Sequence, residues 1–266
     1  MTNFLRPSAV ALAALMAVAT AAVGPALAAP LTTDAPPGPV GNAQGPAPFR
    51  FYGTGGSHTQ VVYESPVFSS FDGARSIDAI AFRSFPGASP SPFFGNTLTL
   101  SNVIIQLSTT SRGDEGPGVL SPTFASNIGA DVTTVYSGPL TITTTVPGTF
   151  DYLVTFQTPF IYNPALGNLL LDVLVPVSAT ASGPGFGFLT FDNANTLNDG
   201  VFSIVSISDG GATTGFAGTD GAIARFFSSQ VAGPVSVPEP ASFMMLAFGA
   251  AMLGLVARRG GTTLRA

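Results

Sequence analysis

Residues 138–156 read GPLTITTTVPGTFDYLVTF, and this stretch decides the fold. Leu140, Ile142, Thr144 and Val146 occupy even positions, and Thr141, Thr143 and Thr145 odd ones. Phe150, Tyr152, Val154 and Phe156 are even again. A period of two marks a strand with one buried face, because successive side chains point to opposite sides. If the two runs form a hairpin, a two-residue Pro147-Gly148 turn would set Thr145 against Phe150 and mismatch the faces. A three-residue loop, Pro147-Gly148-Thr149, sets Val146 opposite Phe150 and Ile142 opposite Val154. The odd loop is therefore expected. The other arrangement that keeps the parity puts the two strands in opposite sheets.

Short runs of the same kind extend outward over 49–54, 59–68, 76–85, 97–109, 168–177, 186–191, 201–207 and 222–228. They are rich in Val, Ile, Phe, Thr and Leu and are punctuated by Gly, Pro, Asn or Asp. No helical stripe interrupts them. The expected fold is all-β, a single β-sandwich of jelly-roll type over 49–230. In 97–109 the apolar parity shifts from Leu98 and Leu100 to Val103, Ile105 and Leu107, so a bulge or change of sheet is expected near Ser101-Asn102. Residues 169–175, LLLDVLV, are apolar on both faces apart from Asp172, as in a central strand covered on both sides. Residues 112–131 read as a long loop with a helical turn near Phe124 to Asn127. Residues 29–48, rich in Pro, Gly and Ala, read as a flexible leader.

The chain has 266 residues, no Cys, no Trp, one His and no Lys; its nine cations are all Arg, against 14 acids. Without Cys there is no disulfide framework, thiolate metal site or cysteine nucleophile. The acidic balance argues against nucleic-acid binding. Only 9% of residues are charged, against about 25% in ordinary soluble domains. The depletion belongs to the body of the protein, since residues 29–237 carry 13 acids and five Arg.

Both ends read as addresses. Arg6, the apolar run Ala9 to Val23 and the small-x-small pattern ending in Ala26 and Ala28 describe a signal peptide over 1–28, cut by signal peptidase. At the other end, 231–240 is a Pro-containing linker, 241–257 an apolar segment of 17 residues, and 258–266 a tail with Arg258 and Arg259. At about 1.5 Å per residue the apolar segment reaches roughly 25 Å, enough for a short transmembrane helix. Arg258 and Arg259 would hold its end in the cytoplasm as stop-transfer charges.

Pro238-Glu239-Pro240, the apolar segment and the Arg-containing tail together resemble the PEP-CTERM sorting signal of exported bacterial proteins. The resemblance implies that Pro238, Glu239 and Pro240 are recognised by an exosortase-type membrane protease. It further implies transient inner-membrane anchoring, then release to the cell surface or extracellular matrix of a Gram-negative bacterium, commonly alongside exopolysaccharide and biofilm production. Physically, the two prolines keep the tripeptide extended and off the helix. The middle of the chain is also similar to a recurrent domain of such proteins. That likeness lies in Leu107 to Thr110, Phe124, Asn127, Gly129-Ala130-Asp131 and Val135 to Gly138.

Chemistry-bearing residues are few. Gly55-Gly56-Ser57-His58 invites a hydrolase reading, but adjacent strand residues face opposite ways, and a polar turn is expected. Asp172 is expected to accept hydrogen bonds from a neighbouring loop's amides. Glu64 and Glu115 offer no defined carboxylate pair of the kind glycoside hydrolysis needs. Asp192, Asn193, Asn195 and Asp199 are weak Ca²⁺ candidates, since the spacing fits no EF-hand and a plain Asn/Asp turn explains it equally well. Tyr152 shares the core parity, whereas Tyr136 and Tyr162 could offer a sugar-stacking surface. The Thr141-Thr143-Thr145 row raises ice binding as a remote alternative, though no fixed-period repeat accompanies it. The leading expectation is a non-enzymatic structural or adhesive protein that needs no cofactor and has extracellular polysaccharide as a partner. A carbohydrate-binding module, and then a glycoside hydrolase or lyase, are the alternatives.

Overall fold

A computed structural model describes residues 30–37, 43–44, 48–49, 55–86, 97–113, 119–143, 145–146, 148–183, 191–194, 199–207, 209–218 and 220–231. The signal peptide, the Pro-Glu-Pro linker and the apolar C-terminal segment lie outside these. Among the described residues no helix is long and apolar enough to cross a membrane. The strands are β1 (Leu31–Ala35), β2 (Ala43–Gln44), β3 (Ser57–Tyr63), β4 (Arg75–Phe82), β5 (Thr97–Thr110), β6 (Thr133–Thr143) and β7 (Tyr152–Tyr162). They continue with β8 (Asn168–Val175), β9 (Ala181–Ser182), β10 (Asp192–Ala194), β11 (Val201–Ser206), β12 (Phe216–Gly218), β13 (Gly221–Ala222) and β14 (Ala224–Gln230). The fold is all-β, as expected.

Two antiparallel sheets carry the architecture. The first has the order β1-β14-β4-β7 and the second β12-β11-β3-β8-β5-β6, with β9 added beside β5; β13-β10-β2 form a small third sheet. From β3 to β8 every successive connection crosses between the two main sheets, except β5 to β6. One core lies between them. Tyr63 of the second sheet meets Phe226 of the first at 5.0 Å between ring centroids, nearly perpendicular. Phe68, in the short 3-10 turn Ser65–Phe68, packs on both Phe226 (5.2 Å) and Tyr162 (4.9 Å). Such edge-to-face contacts match the positive ring edge of one aromatic to the negative face of the next.

The parity in 138–156 holds, but the hairpin does not. Leu140, Ile142, Tyr152, Val154 and Phe156 are all buried. Ile142 pairs with Leu98 on β5, however, and Val154 pairs with Ile80 on β4. The strands thus lie in opposite sheets and face each other across the core, and Val146 is 53% exposed. The reason is the intervening loop. Asp151 accepts hydrogen bonds from the Thr145 and Val146 amides (2.8 Å each), the Thr145 hydroxyl (2.9 Å) and the Thr149 hydroxyl. Gly148, at φ +74°, supplies the left-handed step. This carboxylate cap turns the chain over the end of the sandwich.

β6 and β7 are edge strands, and each contains a proline, Pro139 and Pro159, which only an edge tolerates well. The Gln157 side chain stitches these edges together, with Nε2 donating to the Ser137 carbonyl and Oε1 accepting its amide, both at 3.1 Å. The expected irregularity in β5 is present: its register shifts between Leu100 and Val103. There the Ser101 amide donates to the Thr180 carbonyl (2.9 Å), and the Thr180 amide donates to Ser101 Oγ (2.8 Å).

β8 is the covered central strand. Leu169, Leu171, Val173 and Val175 face the main core. Leu170 faces outward into a second cluster with Val62, Leu120, Phe124, Phe202 and Ile204. The 119–128 segment supplies that outer cover, including the expected turn at Phe124–Ser126. Gly129 lets this segment approach, because a Cβ there would sit 1.8 Å from the Thr109 carbonyl. Asp131 Oδ1 then takes the Thr109 amide at 2.7 Å.

Leu31–Ala35 corrects the flexible-leader expectation. These residues pair with β14, Leu31 opposite Ser228 and Ala35 opposite Ala224. Arg225 clamps the pairing with a two-pronged contact to Asp34 at 2.6 and 2.9 Å. The Asp34 carboxylate holds the Arg225 guanidinium above its usual range.

Partial burial pushes the Asp151 carboxyl up, but hydrogen bonds from Thr149, the Val146 and Thr145 amides and the Thr145 hydroxyl outweigh it and hold it below the usual range. Asp151 therefore stabilises the fold at pH values above about 4, where the unfolded chain's carboxyl is ionised, and this contribution disappears as pH falls through the lowered folded value. The Asp151→Asn variant should melt below the parent at pH 7, with the gap closing only under strongly acidic conditions. A gap constant from pH 7 to pH 2 would contradict the cap.

Candidate functional site

The polar cluster with the most chemical content lies on the outer face of the second sheet. His58 and Gln60 face the same way along β3, and the register sets Gln60 opposite Asp172 of β8. His58 Nε2 lies 2.7 Å from Asp172 Oδ1. Gln60 Nε2 donates to Asp172 Oδ2 (2.9 Å) and to the Phe124 carbonyl (3.1 Å). Asn127 Nδ2 donates to Gln60 Oε1 (2.8 Å), and Asn127 Oδ1 accepts the Ser121 amide (2.7 Å). The imidazole stacks on Phe124 with 3.8 Å between ring centroids, and its Nδ1 lies 3.4 Å from the Ala212 carbonyl. Gln60, Asn127 and Asp172 are all buried.

A histidine held by a carboxylate is the orienting half of a catalytic triad. Here the second imidazole nitrogen faces a backbone carbonyl rather than a hydroxyl. Ser57, next in sequence, points to the opposite face, where its buried Oγ has no hydrogen-bond partner. Ser57 and His58 also begin β3 rather than forming the expected turn. Asp172 serves side chains, not the loop amides expected of it. The cluster works as a clamp fastening the 119–128 and 209–215 segments to β3 and β8. The residues of the looser sequence likeness do the same work: Phe124 and Asn127 in the clamp, Gly129 and Asp131 against Thr109, Ser137 against Gln157.

Asp192 is fully buried, and its Oδ2 accepts from Arg83 Nε and Nη2 at 2.7 Å each. Asp199 Oδ1 accepts the Val201 amide two residues on, at 3.0 Å. Asn193 is buried on β10, and Asn195 lies outside the described residues. Among the described residues no group of three or more His, Asp or Glu converges as a metal centre.

Three tyrosines lie in the interior. Tyr63 donates to the Ala222 carbonyl and Tyr162 to the Gly167 carbonyl, both at 2.8 Å, and burial pushes both phenols well up. Tyr152 is buried as expected. Tyr162 corrects its reading as a surface contact. Its even parity continues that of Tyr152, Val154, Phe156 and Phe160, a signal obscured by Pro159. Tyr136 is partly exposed and donates to the Pro139 carbonyl. The threonine row is two strands wide: Thr99 and Thr141 hydroxyls meet at 3.0 Å, and Thr97 and Thr143 at 2.9 Å.

The other functional residues are at the C-terminus. Residues 236–260 match the family of the PEP-CTERM protein-sorting motif. No curated protein matches the chain. The chain is therefore an all-β protein bearing a PEP-CTERM sorting signal. Such a protein is exported, transiently anchored in the membrane and sorted by exosortase, a membrane enzyme. Pro238, Glu239, Pro240, Arg258 and Arg259 fall within the matched span; like Ala26 and Ala28, they lie outside the described residues.

The clamp predicts a specific pattern of stabilities. Asp172→Ala leaves the buried Gln60 amide and the His58 ring short of an acceptor, and should cost about 2–4 kcal/mol in urea unfolding. The double variant His58→Leu with Asp172→Leu should cost less than the sum of the single changes, since it removes both polar partners. Strict additivity would show that the pair is not coupled.

Proposed function

We propose that this chain is a non-enzymatic cell-surface or extracellular-matrix protein with a structural or adhesive role in an exopolysaccharide layer. The sorting signal at residues 236–260 carries this reading. It is joined within a few residues to a domain whose His-carboxylate pair is engaged in packing. An N-terminal signal peptide over residues 1–28, cut after Ala28, opens the export route, and an apolar helix over 241–257 provides the temporary anchor. The domain reads as a jelly roll with an added edge. The order β1-β14-β4-β7 against β3-β8-β5-β6 is that of two interlocked Greek keys, and β11 and β12 extend the second sheet beside β3.

The surface suits such a setting. The outer face of β5 and β6 is lined by threonine hydroxyls rather than charges. Residues 29–237 carry a net charge of −8, which favours solubility and repels other anionic macromolecules. A carbohydrate-binding module remains the alternative, although three of the five tyrosines that could stack on a sugar are interior residues.

Mass spectrometry of the secreted protein should find the chain ending close to Pro238-Glu239-Pro240, and Glu239→Ala should leave it in the membrane fraction. A secreted chain retaining Arg258 would overturn the processing route. Purified residues 29–237 should bind the producer's exopolysaccharide without shortening it. A discrete, Ca²⁺-dependent hit on a glycan array would favour the carbohydrate module instead, and shortened polysaccharide would favour the enzyme.

A further inference from the structure

The two chain ends of the folded domain leave it side by side. β1 and β14 are antiparallel neighbours, with Leu31 opposite Ser228. β14 ends at Gln230, opposite Arg75 at the start of β4, and Arg75 in turn lies opposite Tyr162 at the end of β7. The 163–167 turn joins β7 directly to β8, and residues 64–74 join β3 to β4. One pole of the sandwich thus holds the N-terminal approach, the C-terminal exit and these two connections. The opposite pole holds the loop 145–151 and the turn after Val175.

The tethers at the first pole are short. Only residues 231–237 separate Gln230 from Pro238. Fully extended, that span is at most roughly 28 Å. On the N-terminal side, only residues 29 and 30 separate Ala28 from β1. The eight residues of β8 make the sandwich itself about 26 Å long between poles.

We propose that, while the sorting signal holds the chain in the membrane, the domain presents the pole bearing Asp72, Leu166 and Val231 to the bilayer and points the pole bearing Val146 and Val177 outward. The inference rests on anchoring by the C-terminal signal and, for the second tether, on the proposed signal peptide. Before signal cleavage both tethers pull on one pole; afterwards the C-terminal one alone is short enough to keep that pole near the headgroups. The membrane protease therefore meets its Pro-Glu-Pro segment beneath the folded body, flanked by the 64–74 and 163–167 connections. The outward pole is the face available to the surroundings throughout sorting.

The absence of native cysteine makes the test clean. Single-cysteine full-length chains Leu166→Cys and Asp72→Cys (74% and 78% exposed in the parent) probe one pole, and Val177→Cys and Val146→Cys (52% and 53%) probe the other. Each is labelled with bimane and reconstituted into phosphatidylcholine vesicles containing a headgroup-nitroxide phosphatidylcholine. Two sites per pole guard against one variant failing to fold. The labels at 72 and 166 should lose several-fold more fluorescence than those at 146 and 177, and cleavage at the linker should abolish the difference. Equal or reversed quenching, with the chain still floating with the vesicles, would overturn the orientation. A chain that does not float with the vesicles would overturn the anchoring on which it rests. Quenching that survives linker cleavage would show a lipid affinity of the domain itself and overturn the tether-set geometry.

Discussion

A strand that is apolar on both faces must be covered twice, and β8 imposes that requirement on the whole domain. Its inner face is met by the first sheet. Its outer face cannot be left to water, because Leu170 and its neighbours would expose a continuous apolar surface. The 119–128 segment answers this by folding over the sheet, and everything polar beneath it must then be paired, since an unpaired buried carboxylate or amide costs several kcal/mol. Asp172, the one acid on β8, takes Gln60 and His58; Gln60 takes Asn127; Asn127 fastens the covering segment. The clamp follows from the double burial.

A second economy concerns charge. With few ionisable side chains, the domain closes its turns and edges with neutral groups and isolated carboxylates. Gln157 pairs with the Ser137 backbone as a neighbouring strand would. Asp131 and Asp151 each collect donors that would otherwise face solvent. Threonine hydroxyls bond to each other across β5 and β6. Edge strands carrying proline and stitched in this manner offer little purchase for pairing with other chains, a useful property for an exported protein.

Local pattern was legible in the sequence and distant pairing was not. Alternation set the core faces of β6 and β7, and the parity shift at Ser101-Asn102 located the bulge in β5, because both depend only on neighbours two residues apart. The run LLLDVLV announced its own double burial. Whether β6 and β7 joined as a hairpin depended on Asp151 gathering the loop, which parity does not register. β1 was hidden because its strand character comes from a partner at the far end of the chain rather than from Leu-Thr-Thr-Asp-Ala itself. The His58–Asp172 pair, 114 residues apart, was hidden for the same reason. The sorting signal was the most readable feature of all, because its parts are consecutive and need no partner from elsewhere in the chain.

The position of β14 sets when the first sheet can close. It is the last of the described strands, yet it sits inside the first sheet, between β1 and β4. A chain made from its N-terminus cannot complete that sheet until residue 230 has been added, and the sorting span follows almost at once. The first sheet therefore closes last, where the body gives way to the sorting span. Tying the first sheet to so late a strand leaves β1 without its partner until the body is complete.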